Sequence, residues 1–522
     1  MTVRRLALLA ALAIAPALSS PSSAAGLPPE LVEAMTAPHD ERALALYREF
    51  LTLPNDALHP EEILEVVAWM ERELGRRGFA TQRLEMPGSD SILATRESPG
   101  ANRTVLVYLQ ADGQPVDPSK WAQESPWQPT LKQRGADDAW MAIEWDLLEG
   151  RPPAEWNPDW RIFARSASDS KGPIAQFLTA ISVLDAAGIA PDFHLKVIVD
   201  TEEELGSPHL TSAIESYRDA LAADLFVIFD GPPHVSGEPT LTYGARGIAT
   251  ITLTAYGPRT PQHSGHWGNY VPNPAIRLAR LLASMEDAEG RVTLPGFYDG
   301  ITIDGATRAQ LAAVPDDIPA IHRQMGIAEP ERVAPTLQEA LQYPSLNIRG
   351  LSAAWVGAQA RTLIPAEAIA ELDLRLVRES DPERLLGLIR EHIEAQGFHV
   401  IEGRGPSDEE RATHPRLVRF DAEVSYPAFR TDADSEIGHW LRRALTRLNG
   451  GPPIELRTGG GSIPISPFVD LLGVPAVQVG TVNPDNNQHS PNENLRLGDF
   501  LRGIRTMVAV LAEGVERLQV DH

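Results

Sequence analysis

Residues 194–207 read HLKVIVDTEEELGS: a seven-residue apolar run that ends in Asp200 and passes straight into Glu202, Glu203 and Glu204 before a glycine. The run is too short for an ordinary helix and rich in Val and Ile, so it reads as a strand buried on both faces. Three further runs have the same texture: RTVLVYL (103–109), DLFVIFD (224–230) and VPAVQVG (474–480). Helical spacing appears between and before them, in EEILEVVAWMERELGRRGF (61–79) and in PIAQFLTAISVLDAAG (173–188), where Pro173 sits in the first turn. Strands of this kind alternating with helices predict an α/β domain with a mostly parallel sheet.

From 248 to 412 the pattern changes. ATITLTAYG and AIAELDLRLV alternate apolar and polar residues, as strands with one wet face do, and NPAIRLARLLASM between them is helical. This predicts a separate α+β domain (248–412) inserted into a discontinuous α/β domain (26–247 and 413–522). The polar run RGPSDEERATHPR marks the return, and DFLRGIRTMVAVLAEGVERL reads as an amphipathic helix packing back on the first sheet.

The length of 522 residues suits two such units, and 43% hydrophobic residues supply their cores. A net charge of -25 disfavours nucleic acid and anionic membranes as partners. Arg4 and Arg5, the apolar run LALLAALAIAPAL and the small residues of PSSAAG form the three zones of a signal peptide (1–25), with cleavage after Ala24 or Ala25. Export to a periplasm or medium is therefore expected, with no second stretch of membrane length. The absence of cysteine excludes disulfides, thiol nucleophiles and thiolate metal sites. Any metal must sit on His, Asp, Glu or a neutral oxygen.

Several such residues fall where open α/β sheets place their sites, just past strands or at helix mouths. These are Gln110 and Asp112, Glu203 and Glu204, Asp230, His489 in NPDNNQHSPNE, and Asp169 in SASDSKGP. Singly, each is as well read as a turn residue or a solvated charge. Their joint placement at strand ends points to a functional site.

In order along the chain, YLQADGQPVD, RSASDSKGP, TEEELGSP, FDGPP, TYGARG, QHSGHWGNYVPNP and NQHSPNE resemble the motifs of the co-catalytic zinc exopeptidases. That family includes carnosine dipeptidase, glutamate carboxypeptidase, aminoacylase and succinyl-diaminopimelate desuccinylase. GFYDG (296–300) and RTLIPAEA (361–368) resemble its dipeptidase branch. The resemblance implies two divalent ions, zinc by default with manganese or cobalt as alternatives. Asp169 would bridge them, Glu204 and His489 would complete one, and Asp230 and position 110 the other. Two ions about 3.5–4 Å apart share a water, whose proton Glu203 would take as general base. His263 would reach the site of a partner subunit, implying a homodimer. Arg375 would grip the carboxylate of a small peptide substrate, and Gly461 and Ser462 in GGGSIPIS would hold a peptide end.

Two positions depart from the resemblance. Gln110 stands where the family has a ligand histidine, and an amide oxygen is the weaker ligand. Asp112, which shares a side with residue 110 on an extended segment, is expected to accept from the Gln110 amide nitrogen and turn its oxygen to the metal. Ser170 stands where many members have a second aspartate. The expected activity is hydrolysis of dipeptides or of the C-terminal bond of short peptides. The alternatives are an N-acyl amino acid amidohydrolase with the same site and, because of Gln110, a non-catalytic binding homologue.

Overall fold

The computed structural model describes residues 26–461 and 463–515, so the expected signal segment (1–25), Ser462 and residues 516–522 lie outside the described residues. The four runs become strands Thr104–Gln110, His194–Asp200, Leu225–Ile228 and Ala476–Val479, mutually parallel at the centre of an eight-stranded sheet. Antiparallel strands flank them. Ser91–Arg96 and Ala80–Leu84 extend one side, and Thr240–Thr242 followed by Ile454–Leu456 extends the other. The register sets Gln110 opposite Asp200. The carboxyl ends of the central strands thus align on one rim.

Helix Lys171–Ala187 is apolar almost all round and buried on nearly every face. It packs between the sheet and the helices Asp40–Leu51 and Leu497–Ala512. A Cβ on Gly503 would lie 2.1 Å from the Gln176 amide nitrogen. Only glycine allows that approach of the last helix, and Gln176 uses its amide to donate to the Thr481 and Phe500 carbonyls. Among the described residues, no helix is long and apolar enough to cross a membrane.

The second sheet has five strands, ordered Ser345–Ser352, Glu367–Leu376, Gly247–Tyr256, Leu417–Tyr426 and His399–Ile401. Helices Pro274–Ala283 and Pro382–Ala395 bury their apolar faces on it. The sequence reading ended this unit at 412. The sheet takes one more strand, Leu417–Tyr426, after the polar run, so the return crossing lies beyond Tyr426. Leu417–Tyr426 is buried at its start and wet towards its end, which hid it from a periodicity argument.

The two crossings between the sheets run side by side. Gly244–Ala245 pairs antiparallel with Phe429–Arg430. A Cβ on Gly244 would meet the Phe429 carbonyl at 2.6 Å, and one on Gly247 would meet the Ala428 nitrogen at 2.5 Å. Both glycines are required for this close backbone approach.

Candidate metal centre

The turn after His194–Asp200 decides where the three glutamates point. Asp200 is fully buried and accepts hydrogen bonds from Tyr108 Oη (2.9 Å), Ser207 Oγ (2.6 Å) and the Glu202 N–H (3.0 Å). The chain then makes one 3-10 turn and leaves through Gly206 at φ +80. Glu202 is drawn away, accepting from the Ser89 N–H and pairing with His209 Nδ1 at 2.8 Å. The N–H groups of Glu203 and Glu204 donate to the two oxygens of Asp112 at 3.1 and 2.9 Å. The tie leaves both side chains free to turn to the rim.

Asp112 therefore does not orient Gln110 as expected. Its carboxylate is committed to the glutamate turn. The Gln110 amide Nε2 donates instead to Asp169 Oδ1 at 2.8 Å. The turn claims Asp112 because its two main-chain N–H groups would otherwise lack this acceptor.

Asp169 lies at the mouth of helix Lys171–Ala187, in a loop shaped by Glu493. Glu493 is fully buried. Its Oε1 accepts from the Ser168 and Asp169 N–H groups and from Ser168 Oγ, and its Oε2 accepts from the Ser166 N–H and Arg165 Nη1, all within 2.8–2.9 Å. Glu493 is the last residue of NQHSPNE, where nothing in the local sequence marks it for this role. The Asp169–Ser170 peptide is cis.

His489 comes from the loop after Ala476–Val479 and adopts a left-handed backbone, φ 59, as do Asn487 and Asn492. Asn486 Oδ1 caps the Gln488 N–H, and Asn487 Nδ2 donates to the Pro491 carbonyl, which fixes the loop. A non-glycine residue held in this region is uncommon. Its Nε2 lies 3.0 Å from Asp169 Oδ2 and 3.4 Å from Glu204 Oε2. Asp169, Glu204 and His489 each offer a ligand atom, all within 4.8 Å of one another. Asp230 joins through Ser170, whose Oγ donates to Asp230 Oδ1 at 2.7 Å.

The electrostatics ask for positive charge. Burial, then Asp169 and Asp112, push Glu204 up to about 10, while Gln114 holds it down by donating to Oε2 at 2.7 Å. Burial and the neighbouring Glu204, Asp169 and Asp230 raise Glu203 well above the usual carboxylate range. Burial and Asp169 raise Asp230 to about 7, against the hydrogen bond from Ser170. The hydrogen bond to Asp169 raises His489. Glu204 Oε1, on a side chain only 2% exposed, has no hydrogen-bond partner among the described residues. Buried carboxylates crowded in this way, with an oxygen left over and an imidazole among them, fit a divalent cation.

The remaining expected residues lie elsewhere. His263 is exposed on the second unit, in a two-residue strand paired with Leu363–Ile364, and its Nδ1 accepts from the Gly265 N–H. Arg375 lies on strand Glu367–Leu376 and pairs with Asp373 at 3.3 Å. The Gly461 carbonyl accepts from the Arg246 N–H at 3.2 Å. Among the described residues, no hydrogen bond or ion pair joins His263 or Gly461 to the acidic cluster.

A profile of Peptidase family M20/M25/M40 matches residues 138–513. The chain is 26% identical to the Cys-Gly metallodipeptidase of Schizosaccharomyces pombe, over 87% of this chain and 88% of that one. It is 25% identical to the Beta-Ala-His dipeptidase of Homo sapiens, over 91% and 90%. Among solved structures, an M20 family metallo-carboxypeptidase from Sulfolobus solfataricus matches with a TM-score of 0.73 at 26% identity, covering 90% of this chain and 98% of that one. Human carnosine dipeptidase 1 shares the fold, with a TM-score of 0.73 at 22% identity over 93% and 99%. With the acidic cluster and its histidine on the rim of the same α/β sheet, the chain belongs to Peptidase family M20/M25/M40 and is a metallopeptidase-type hydrolase.

Proposed function

We propose that the chain is an exported dipeptidase that cleaves small peptides with a free carboxylate. The observation that carries this reading is the joint geometry of Asp169, Glu204 and His489 in a chain matched along about nine-tenths of its length by dipeptidases. When bound at these residues, a divalent cation, zinc by default, supplies Lewis acidity to the scissile carbonyl and lowers the pKa of water. Glu203 takes the proton from the attacking water on its carboxylate and hands it to the leaving amine. Burial and its acidic neighbours raise its affinity for that proton, as a general base working near neutral pH requires. Asp112 positions Glu203 and Glu204 through their N–H groups.

Arg375 grips the substrate carboxylate with its planar fork. The Gly459–Gly461 stretch lets the peptide backbone approach. His263 acts on the site of a second subunit, so the active form is a homodimer. The signal segment directs the chain to the periplasm or medium.

The test is a panel of dipeptides set against N-acetyl and N-succinyl amino acids, run before and after chelation. Dipeptide turnover that a chelator abolishes and zinc restores is the expected result. Preference for the acylated amino acids assigns the chain to the amidohydrolases instead, and turnover indifferent to chelation removes the mechanism.

A further inference from the structure

We propose that this centre is built for one divalent ion, held by Asp169, Glu204 and His489, and that Gln110 and Ser170 put hydrogen bonds where a second ion would bridge Asp169 to Asp230. The proposal rests on the metal-dependent reading above and departs from the two-ion expectation.

The argument is an accounting of donors and acceptors on the two halves of Asp169. Oδ2 lies 3.0 Å from His489 Nε2, which is also 3.4 Å from Glu204 Oε2, and His489 and Glu204 are ordinary ligands for a divalent ion. Oδ1 faces the other way and meets the Gln110 amide at 2.8 Å. Ser170 Oγ lies 2.7 Å from Asp230 Oδ1 and 3.2 Å from Asp169 Oδ1. A hydroxyl has one proton, and the shorter contact assigns it to Asp230. Gln110 thus donates to Asp169 Oδ1 and Ser170 to Asp230 Oδ1.

A cation between those two oxygens would have to displace both donors. Gln110 would then need to flip its amide and present Oε1. In the observed orientation, Oε1 is buried with no hydrogen-bond partner among the described residues, and Nε2 is spent on the carboxylate. The flipped amide would place two acceptors together with no proton between them, tolerable only with a cation present. Even then the second ion would have as its non-shared ligands one carboxylate and one neutral amide, against a carboxylate and an imidazole on the other side.

The experiment uses the full-length mature chain, stripped of metal and dialysed against buffered zinc, with ions per chain measured together with the manganese-loaded electron paramagnetic resonance spectrum. One ion per chain and an uncoupled six-line manganese signal are expected. Two ions per chain with an exchange-coupled signal overturn the proposal and leave the hydrolase reading standing. No bound ion overturns both. The double substitution Gln110→His with Ser170→Asp should take up a second ion and show the coupled signal. A folded double variant that still binds one ion overturns the assignment of the effect to these two residues.

Discussion

Glu493 and Asp169 are joined through the main chain: the Asp169 N–H donates to Glu493 Oε1 at 2.9 Å, 324 residues apart in sequence. The same carboxylate holds Arg165, 3% exposed, in an ion pair at 2.9 Å. Glu493→Ala would strand a buried guanidinium and three N–H groups. A loss of about 3–5 kcal/mol of stability is expected from the broken buried pair. In a variant that still folds, a roughly 10–100-fold loss of metal affinity is expected from the freed Asp169 loop. Chemical unfolding and zinc titration measure the two; unchanged metal affinity would show that the loop holds its shape without Glu493.

Glu203 makes a cleaner separation between binding and chemistry. Glu203→Gln keeps the N–H bond to Asp112 and removes the proton acceptor. Turnover of a dipeptide should fall by about 10²–10⁴-fold, with bound metal unchanged by elemental analysis. Retained turnover would pass the base role to another group, and lost metal would make Glu203 a ligand.

The proposed reach of His263 into a second subunit has a complementation test. His263→Ala and Glu203→Ala are each expected to be inactive. Unfolded together and refolded as a mixture, they should regain part of the activity, because each mixed dimer assembles one site with both residues intact. Mixtures as dead as their components place His263 in its own chain's site or outside catalysis.

The legible part of this molecule was the part with continuous burial. The strand His194–Asp200 matches its sequence run residue for residue, and the inward-facing acids follow from where such strands end. Ala80–Leu84 and Ser91–Arg96 were not anticipated: the first buries only Leu84, so its composition carries no period. In the site, residue types and order singled out Asp169, Glu204, Asp230 and His489, of which the structure brings Asp169, Glu204 and His489 within reach of one ion, but they carried no sign of the direction of each hydrogen bond. Asp112 and Gln110 share a side of the chain, as extended geometry requires, yet the N–H groups of a turn 91 residues away outcompete the amide for Asp112. Glu493 was visible as an acid four residues past His489. Its partners lie more than 320 residues away, where no local pattern reaches.

Stability should vary with pH through Asp40. Its side chain is buried, Oδ1 has no hydrogen-bond partner among the described residues, and Oδ2 accepts from Arg505 at 3.2 Å. Burial outweighs Arg505 and raises the carboxyl to about 6. A raised folded-state value means that the contribution of this group is fully present below its unfolded value and is lost as pH climbs through about 6. Asp40→Asn should therefore gain on the wild type by about 1–2 kcal/mol between pH 4 and pH 7.5, measured by urea unfolding at both. A constant difference between the two proteins would remove Asp40 from the pH dependence.

The paired crossings at Gly244–Ala245 and Phe429–Arg430 leave the ends of everything between them about one strand spacing apart, near 4.8 Å. Closing so small a gap costs a short loop little entropy, and no strand of the eight-stranded sheet comes from the intervening stretch. The molecule is thus a cassette in a frame. Asp169, Glu203, Glu204, Asp230 and His489 all belong to the frame, while His263 and Arg375 both belong to the cassette. The residues of the metal centre and the stretch that carries His263 and Arg375 thus lie in separable lengths of the gene, so descent or engineering can exchange the one without rewriting the other.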